Sequence, residues 1–218
     1  MNSKYFQHTL AHTLTFVGRG LHSGLPVRLM LQPADPDTGI IFIRSDVPLF
    51  QSEITARWYN VTDTRLSTTV SNRFGVKVST IEHLMAALYV CGIDNARIVL
   101  NGPEVPIMDG SAEPFVRMIQ QTGSRQQDAE RRAIVIRRQV RVEEHGKSAS
   151  YLPAPAPWID MTIDFDNTAI GHQELSVPMD RDLLASDVSA ARTFGFQEQI
   201  DTLRKLGHAG WARLFAAH

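Results

Sequence analysis

Residues 78–123 read VSTIEHLMAALYVCGIDNARIVLNGPEVPIMDGSAEPFVRMIQQTG, and this stretch decides the class of the fold. Ser79 precedes an apolar run and Glu82 follows three residues later, the pattern of a capping box. That pattern predicts a helix over Thr80 to Cys91, stopped by Gly92. Leu84, Leu88 and Cys91 recur at helical spacing, and Met85 and Ala86 widen the same face. Ala96 to Leu100 is a short apolar run closed by Asn101-Gly102, which reads as a strand. Ala112 to Gln121 predicts a second helix, with Phe115, Met118 and Ile119 inward and Gly123 behind it.

Further strands are expected at Val27 to Leu31, Ile40 to Arg44, Ala133 to Arg137 and Ile159 to Asp166. The last alternates apolar and polar residues, as a strand with one wet face requires. Phe196 to Leu206 reads as a third long helix, and a shorter one starts at Arg181. The polar stretch TGSRQQDAERR at 122–132 predicts a linker, dividing the chain into a first domain over 1–124 and a second over 131–218. Arg131, Arg132, Arg137, Arg138 and Arg141 around it suit either a solvated face or a phosphate patch. Pro33-Ala34 and Asp46 recur as Pro153-Ala154 and Asp166, each set bracketing a strand, which suggests two related α+β units. The second unit is the shorter, because a counterpart of the strand–helix–strand block at 78–123 is missing.

Composition sets limits on function. The chain has 218 residues, 43% hydrophobic and 21% charged, which excludes a disordered or collagen-like polymer. Its 22 Lys+Arg balance 23 Asp+Glu, so no global basic field exists to hold nucleic acid. Cys91 has no cysteine to pair with, which suits a reducing compartment. No apolar run approaches the roughly 18 residues that a membrane span needs. The expectation is a soluble, cytoplasmic monomer.

Few local motifs point to chemistry. Glu82-His83 places a carboxylate beside an imidazole in the first turn of the best helix. Such a pair serves as general base and ligand beside a metal-bound water, or simply as a cap and a half-buried polar side chain. Ala87 stands one turn on, so the pair is not part of an HExxH motif, and zinc would need two more ligands from elsewhere. The eight histidines are scattered, and there is no Gly-x-Ser-x-Gly elbow, Walker A loop or GxGxxG. The glycine-rich run GRGLHSG at 18–24 reads as a tight turn between strands. Thr193, within RTFGF, either caps the following helix or presents its hydroxyl to a site.

Taken together, GRGLHSG at 18–24, LQPADPDTGI at 31–40, VSTIEHLMAAL at 78–88, GIDNARIVLNGPEVPIMDGSAEPF at 92–115 and ARTFGF at 191–196 resemble the zinc-dependent UDP-3-O-acyl-N-acetylglucosamine deacetylases of lipid A biosynthesis. The resemblance runs from about Thr9 to Gly207. It implies two related α/β-layer domains of the ribosomal protein S5 domain 2-like kind, the second incomplete, with the active site between them. It implies Zn2+ held by His83, Glu82 as general base, and Thr193 beside the carbonyl oxygen, so Glu82 and Thr193 are the catalytic candidates. His22 falls where the family has a histidine near the site. Phe194 and Phe196 would line the acyl passage, with Phe165 on the nucleotide side. The substrate, UDP-3-O-acyl-N-acetylglucosamine, would be membrane-proximal.

One departure accompanies the resemblance. The family's other zinc ligands lie in a His-Lys-x-x-Asp motif beyond ARTFGF, with a histidine general acid later still, and this sequence has neither. HAGWARLFAAH at 208–218 does not read as the family's continuation. The expectation is therefore a C-terminally truncated member, with little or no turnover. A noncatalytic remnant that binds nucleotide sugar or acyl chain is the competing reading.

Overall fold

The structure, a computed structural model, describes residues 5–166 and 170–196. In chain order its first part comprises β1 (Phe6–Leu10), β2 (Leu14–Arg19), β3 (Pro26–Pro33), β4 (Ile40–Arg44), β5 (Glu53–Thr55), β6 (Val61–Asp63), β7 (Thr69–Ser71), β8 (Lys77–Val78), α1 (Glu82–Val90), β9 (Ala96–Leu100), α2 (Glu113–Thr122) and β10 (Ser124–Glu130). Five strands form the main sheet in the order β2-β3-β9-β4-β5. Only the β4–β9 pair is parallel, and its crossover contains the small β6-β7-β8 sheet and α1.

Alternation places one face of each strand inward. Leu14, Phe16, Val27, Leu29 and Leu31 are buried, whereas Thr15, Val17 and Arg28 are exposed. Both helices cover that face, α1 with Leu84, Ala87 and Leu88 and α2 with Phe115, Val116 and Ile119. The Phe16 and Phe115 rings meet at 4.9 Å between centroids, joining sheet to helix. Each such large side chain contributes about 1.5–3 kcal/mol by leaving water. The fold is α+β. Strands β4 and β9 match their sequence-predicted bounds, and α2 is displaced by one residue.

The start of α1 departs from expectation. Ser79 forms no cap, because its backbone is engaged with the segment before Val105: Ser79 N donates to Pro103 O at 2.8 Å and Ser79 O accepts from Val105 N at 3.0 Å. Its hydroxyl donates to Pro103 O as well. Thr80, at φ 56°, then swings the chain into a helix beginning at Glu82, with Ile81 at the cap position and no side-chain cap bond. Gly92, at φ 69°, ends the helix as predicted.

The polar stretch read as a linker is a strand. β10 runs antiparallel to β1 with Leu10 opposite Ser124 and Phe6 opposite Glu130. Its inward residue is Gln127, which donates to Ala34 O and accepts from Asn95 Nδ2, while Asn95 Nδ2 also donates to Gln7 Oε1. Amide hydrogen bonds replace apolar burial here, so hydropathy carries no sign of the strand. Arg131 follows, with Nε 2.8 Å from Asp94 Oδ1 and a second nitrogen donating to Gly92 O. Arg132 and Arg141 lie against Asp37 and Glu143.

Residues 133–137 form no strand, and Ile134 and Val135 are exposed. Two hairpins follow, β11 (Val140–Glu144) with β12 (Lys147–Tyr151) and β13 (Trp158–Asp164) with β14 (His172–Pro178). Strand β13 pairs only with β14 among the described residues. Of its alternating set only Ile159 and Ile163 are partly buried, while Met161 is exposed. Pro33 closes β3 ahead of β4, and Pro153-Ala154 stand between β12 and β13, so the recurring Pro-Ala pair does separate strands in both places. A short helix, α3 (Arg181–Leu183), is capped by Asp180 and runs into a wider turn over Leu184–Val188. The helix expected over 196–206 lies outside the described residues from 197 onward.

Phe115 is fully buried against the sheet, so Phe115→Ala should cost about 3–5 kcal/mol of unfolding free energy in urea titration. An unchanged midpoint would contradict this packing.

Candidate active site

With Ser79 and Thr80 tied elsewhere, Glu82 is released from capping and turns back to the segment before β7. Its Oε2 accepts from Thr68 N at 3.0 Å, and among the described residues Oε1 accepts no hydrogen bond. A carboxylate held at one oxygen and open at the other has the form a general base needs. Ile81 N donates to Thr68 O, so the same residue braces the helix entry from both sides.

His83 is partly buried, and its Nδ1 is inaccessible to solvent without a hydrogen-bond partner. Burial lowers the pKa of this imidazole below the usual histidine range, opposed by the nearby charges of Glu82 and Asp109. Histidine ligates metal through a ring nitrogen that is neither protonated nor engaged in a hydrogen bond, and His83 has a ring nitrogen free of protein partners. The fit to zinc extends to this one ligand. Among the described residues no group of three His, Cys, Asp or Glu side chains could hold a metal ion.

His22 stands in the six-residue loop joining β2 to β3, where Gly20 N donates to Leu25 O and Gly24 N to Gly20 O. The glycine-rich run is thus the turn expected of it. Its imidazole is unusual, since Nδ1 and Nε2 are both buried without partners. Among the described residues, the only buried side-chain N or O atoms left without a hydrogen bond are these two and His83 Nδ1. Buried polar atoms are normally satisfied, because each orphan costs about 1–3 kcal/mol. Both residues that carry these orphans, His22 and His83, are ones the sequence singles out as site candidates.

Glu104 was not selected from the sequence, yet it joins these parts. Only 2% of its surface is exposed. Its Oε1 accepts from His22 N at 2.9 Å and from Thr80 Oγ1 at 3.1 Å; its Oε2 accepts from Ser23 N at 2.9 Å and Ser23 Oγ at 2.7 Å. The available signal was one acid between Pro103 and Val105-Pro106, in a stretch otherwise apolar and without a basic neighbour.

Thr193 is tied to the first part by its backbone, Thr193 N donating to Gly110 O at 2.8 Å. Ala112 N donates to Ser189 O nearby, so two bonds attach the segment after α3 to the turn before α2. In that turn Asp109 Oδ1 accepts from Ser111 N and Oγ. Phe165, Phe194 and Phe196 converge into one edge-to-face cluster with centroids 5.6–5.9 Å apart. Phe165 and Phe194 remain 36% and 45% exposed, which leaves apolar ring surface available to a ligand.

An α+β scaffold that presents an open carboxylate and a neutral, unpartnered imidazole from one helix turn has the parts of a hydrolase acting through an activated water. Comparison with known proteins identifies the kind. The family model of LpxC, UDP-3-O-acyl N-acetylglycosamine deacetylase, matches residues 7–217. The chain is 45% identical over 204 residues to the UDP-3-O-acyl-N-acetylglucosamine deacetylase of Phenylobacterium zucineum (strain HLK1), covering 94% of this chain and 70% of that one. It is 46% identical over 209 residues to the enzyme of that name from Geotalea uraniireducens (strain Rf4), covering 96% and 67%. With that of Myxococcus xanthus (strain DK1622) the figures are 48% over 208 residues, 95% and 65%. The chain belongs to this deacetylase family and spans about two thirds of the length of these relatives. The family match passes Gly207, where the sequence reading placed its end, and reaches residue 217.

The unpartnered His22 ring makes a stability prediction. Replacing it with an apolar residue of similar size removes two buried orphans, so His22→Leu should keep or raise the melting temperature. A fall of several degrees in a thermal melt would show that the ring nitrogens have partners.

Proposed function

We propose that this chain carries the family's site for zinc-dependent removal of the N-acetyl group from UDP-3-O-acyl-N-acetylglucosamine in lipid A biosynthesis, which leaves a free amine and acetate, and that with His83 as the one zinc ligand among the described residues its own turnover is low. The observation that carries the reading is the Glu82–His83 pair: one carboxylate oxygen fixed and the other open, beside an imidazole nitrogen buried without a partner. Family membership supplies the substrate class, taken from what the relatives are named for.

In this reading His83 would be one ligand of a zinc ion, whose chemistry would be to polarise the acetyl carbonyl and acidify a nearby water. Glu82 accepts a proton from that water through Oε1 while Thr68 holds Oε2, so the base keeps its orientation. The Thr193 hydroxyl would stabilise the charge that develops on the carbonyl oxygen, a role taken from the family resemblance. Water adds to the amide carbon, the C–N bond breaks, and the leaving nitrogen takes the proton that Glu82 had accepted, giving the amine and acetate. Phe194 and Phe196 offer the acyl chain an apolar wall, Phe165 extends it toward the nucleotide, and His22 contacts the polar part of the substrate. The two-domain division at 124 and 131 and a cytoplasmic location belong to the same proposal. No helix among the described residues is long and apolar enough to cross a membrane.

A second reading, a noncatalytic module that binds nucleotide sugar or acyl chain, is favoured by the lack of a three-ligand metal group among the described residues. Turnover separates the two. With zinc-loaded protein, Glu82→Gln should lower kcat by about 10²–10⁴ with little change in KM, because a general base acts mainly in the transition state. Binding of the nucleotide sugar without Glu82-dependent turnover would establish the second reading in place of the first.

A further inference from the structure

Glu104 has no hydrogen bond to the His83 or His22 ring, yet it accepts from the His22 backbone and from the hydroxyl of Thr80, three residues before His83. Two of its four hydrogen bonds go to Ser23 and one to His22 N, all in the loop between β2 and β3. The fourth goes to Thr80 Oγ1, two residues before the first turn residue Glu82. Thr80 is the non-glycine residue at φ 56° that turns the chain into α1, so the carboxylate stabilises a backbone conformation that threonine otherwise avoids. Gly20 shows how closely the seat is cut. A Cβ there would overlap Glu104 Oε2 and Ser23 Oγ, although the φ of Gly20 lies outside the left-handed region. The glycine is therefore required by the carboxylate rather than by its own backbone.

We propose that Glu104 is a positioning residue of the site: its carboxylate fixes the His22 loop against the entry of α1, so that His22 and the Glu82-His83 turn keep one arrangement. A glutamine cannot substitute. Whichever oxygen became the amide nitrogen, it would face a backbone N–H that can only donate, that of His22 on one side or of Ser23 on the other, even if the Thr80 or Ser23 hydroxyl turned to accept. The inference rests on reading His22 and Glu82-His83 as parts of one site.

The test reads the histidine rings by 1H–15N NMR of the full chain, with amide hydrogen exchange measured alongside. The His8 ring in β1, whose Nδ1 lies 3.0 Å from Phe6 O, serves as an internal control. In Glu104→Gln and in Gly20→Ala the His22 and His83 ring signals should both move while His8 stays. Exchange at the His22 and Ser23 amides should accelerate about 10- to 100-fold, the loss expected for a charged hydrogen bond. Thr80→Val cuts only the link to α1, so it should move the His83 ring and spare those two amides. That variant decides the matter where Glu104→Gln fails to fold. A His83 ring unmoved in Thr80→Val and in folded Glu104→Gln would overturn the proposal, even alongside a lower melting temperature, and leave Glu104 a staple of the loop alone. No step of the test requires turnover, so the deacetylation reading and this inference fail separately.

Discussion

A carboxylate removed from water is expensive, and Glu104 offsets that cost with four donors on two oxygens. The donors come from segments distant in sequence: the loop after β2 and Thr80, two residues before α1. Glu104 is itself held in place by main-chain bonds of its neighbours, Pro103 and Val105, to Ser79. Three stretches of chain thus meet at one charged group beneath the helix that carries Glu82 and His83. The apolar core fixes where α1 lies on the sheet, through Leu84, Ala87 and Leu88. The polar seat fixes where the helix begins, and the start decides which way its first two side chains face.

That seat also explains a mismatch between pattern and structure. Ser79 and Glu82 have the spacing of a capping box, and no such box forms. Ser79 is taken by pairing with 103–105, Thr80 by Glu104, and Glu82 by Thr68. Tertiary bonds have displaced the local ones. The helix loses a cap, and the carboxylate that would have filled it keeps one oxygen without a hydrogen bond among the described residues. A local rule is broken at the proposed site, which is where such departures are expected.

The parts of the fold held by apolar burial were legible: β4 and β9 fall where their hydropathy placed them, and α2 lies one residue from its predicted bounds. The parts held by side-chain amides were not. β10 contains no apolar residue larger than Ala129, and its inward contact is made by Gln127, so a hydropathy pattern reads it as linker. The Ala133–Arg137 run failed in the opposite sense: it is apolar enough for a strand, yet among the described residues it has no strand partner. At the site, the residues themselves raise Glu82-His83 and Thr193 as candidates, and the resemblance assigns their roles and adds His22 and the three phenylalanines. Glu104 was invisible to it because nothing in a lone glutamate tells that four donors converge on it. The division of labour is physical, since periodicity reports burial whereas convergence of polar groups is a property of the folded chain.

In the proposed reading His83 serves as a zinc ligand, with Glu82 beside it as base. The most direct measurement is the NMR signal of the His83 ring nitrogens in the chain during addition of zinc at neutral pH. The account predicts that this ring responds with saturation at one zinc per chain, and that the response survives Glu82→Gln, because Glu82 is a base and not a ligand. A His83 ring that stays unchanged while zinc saturates other histidines would contradict it.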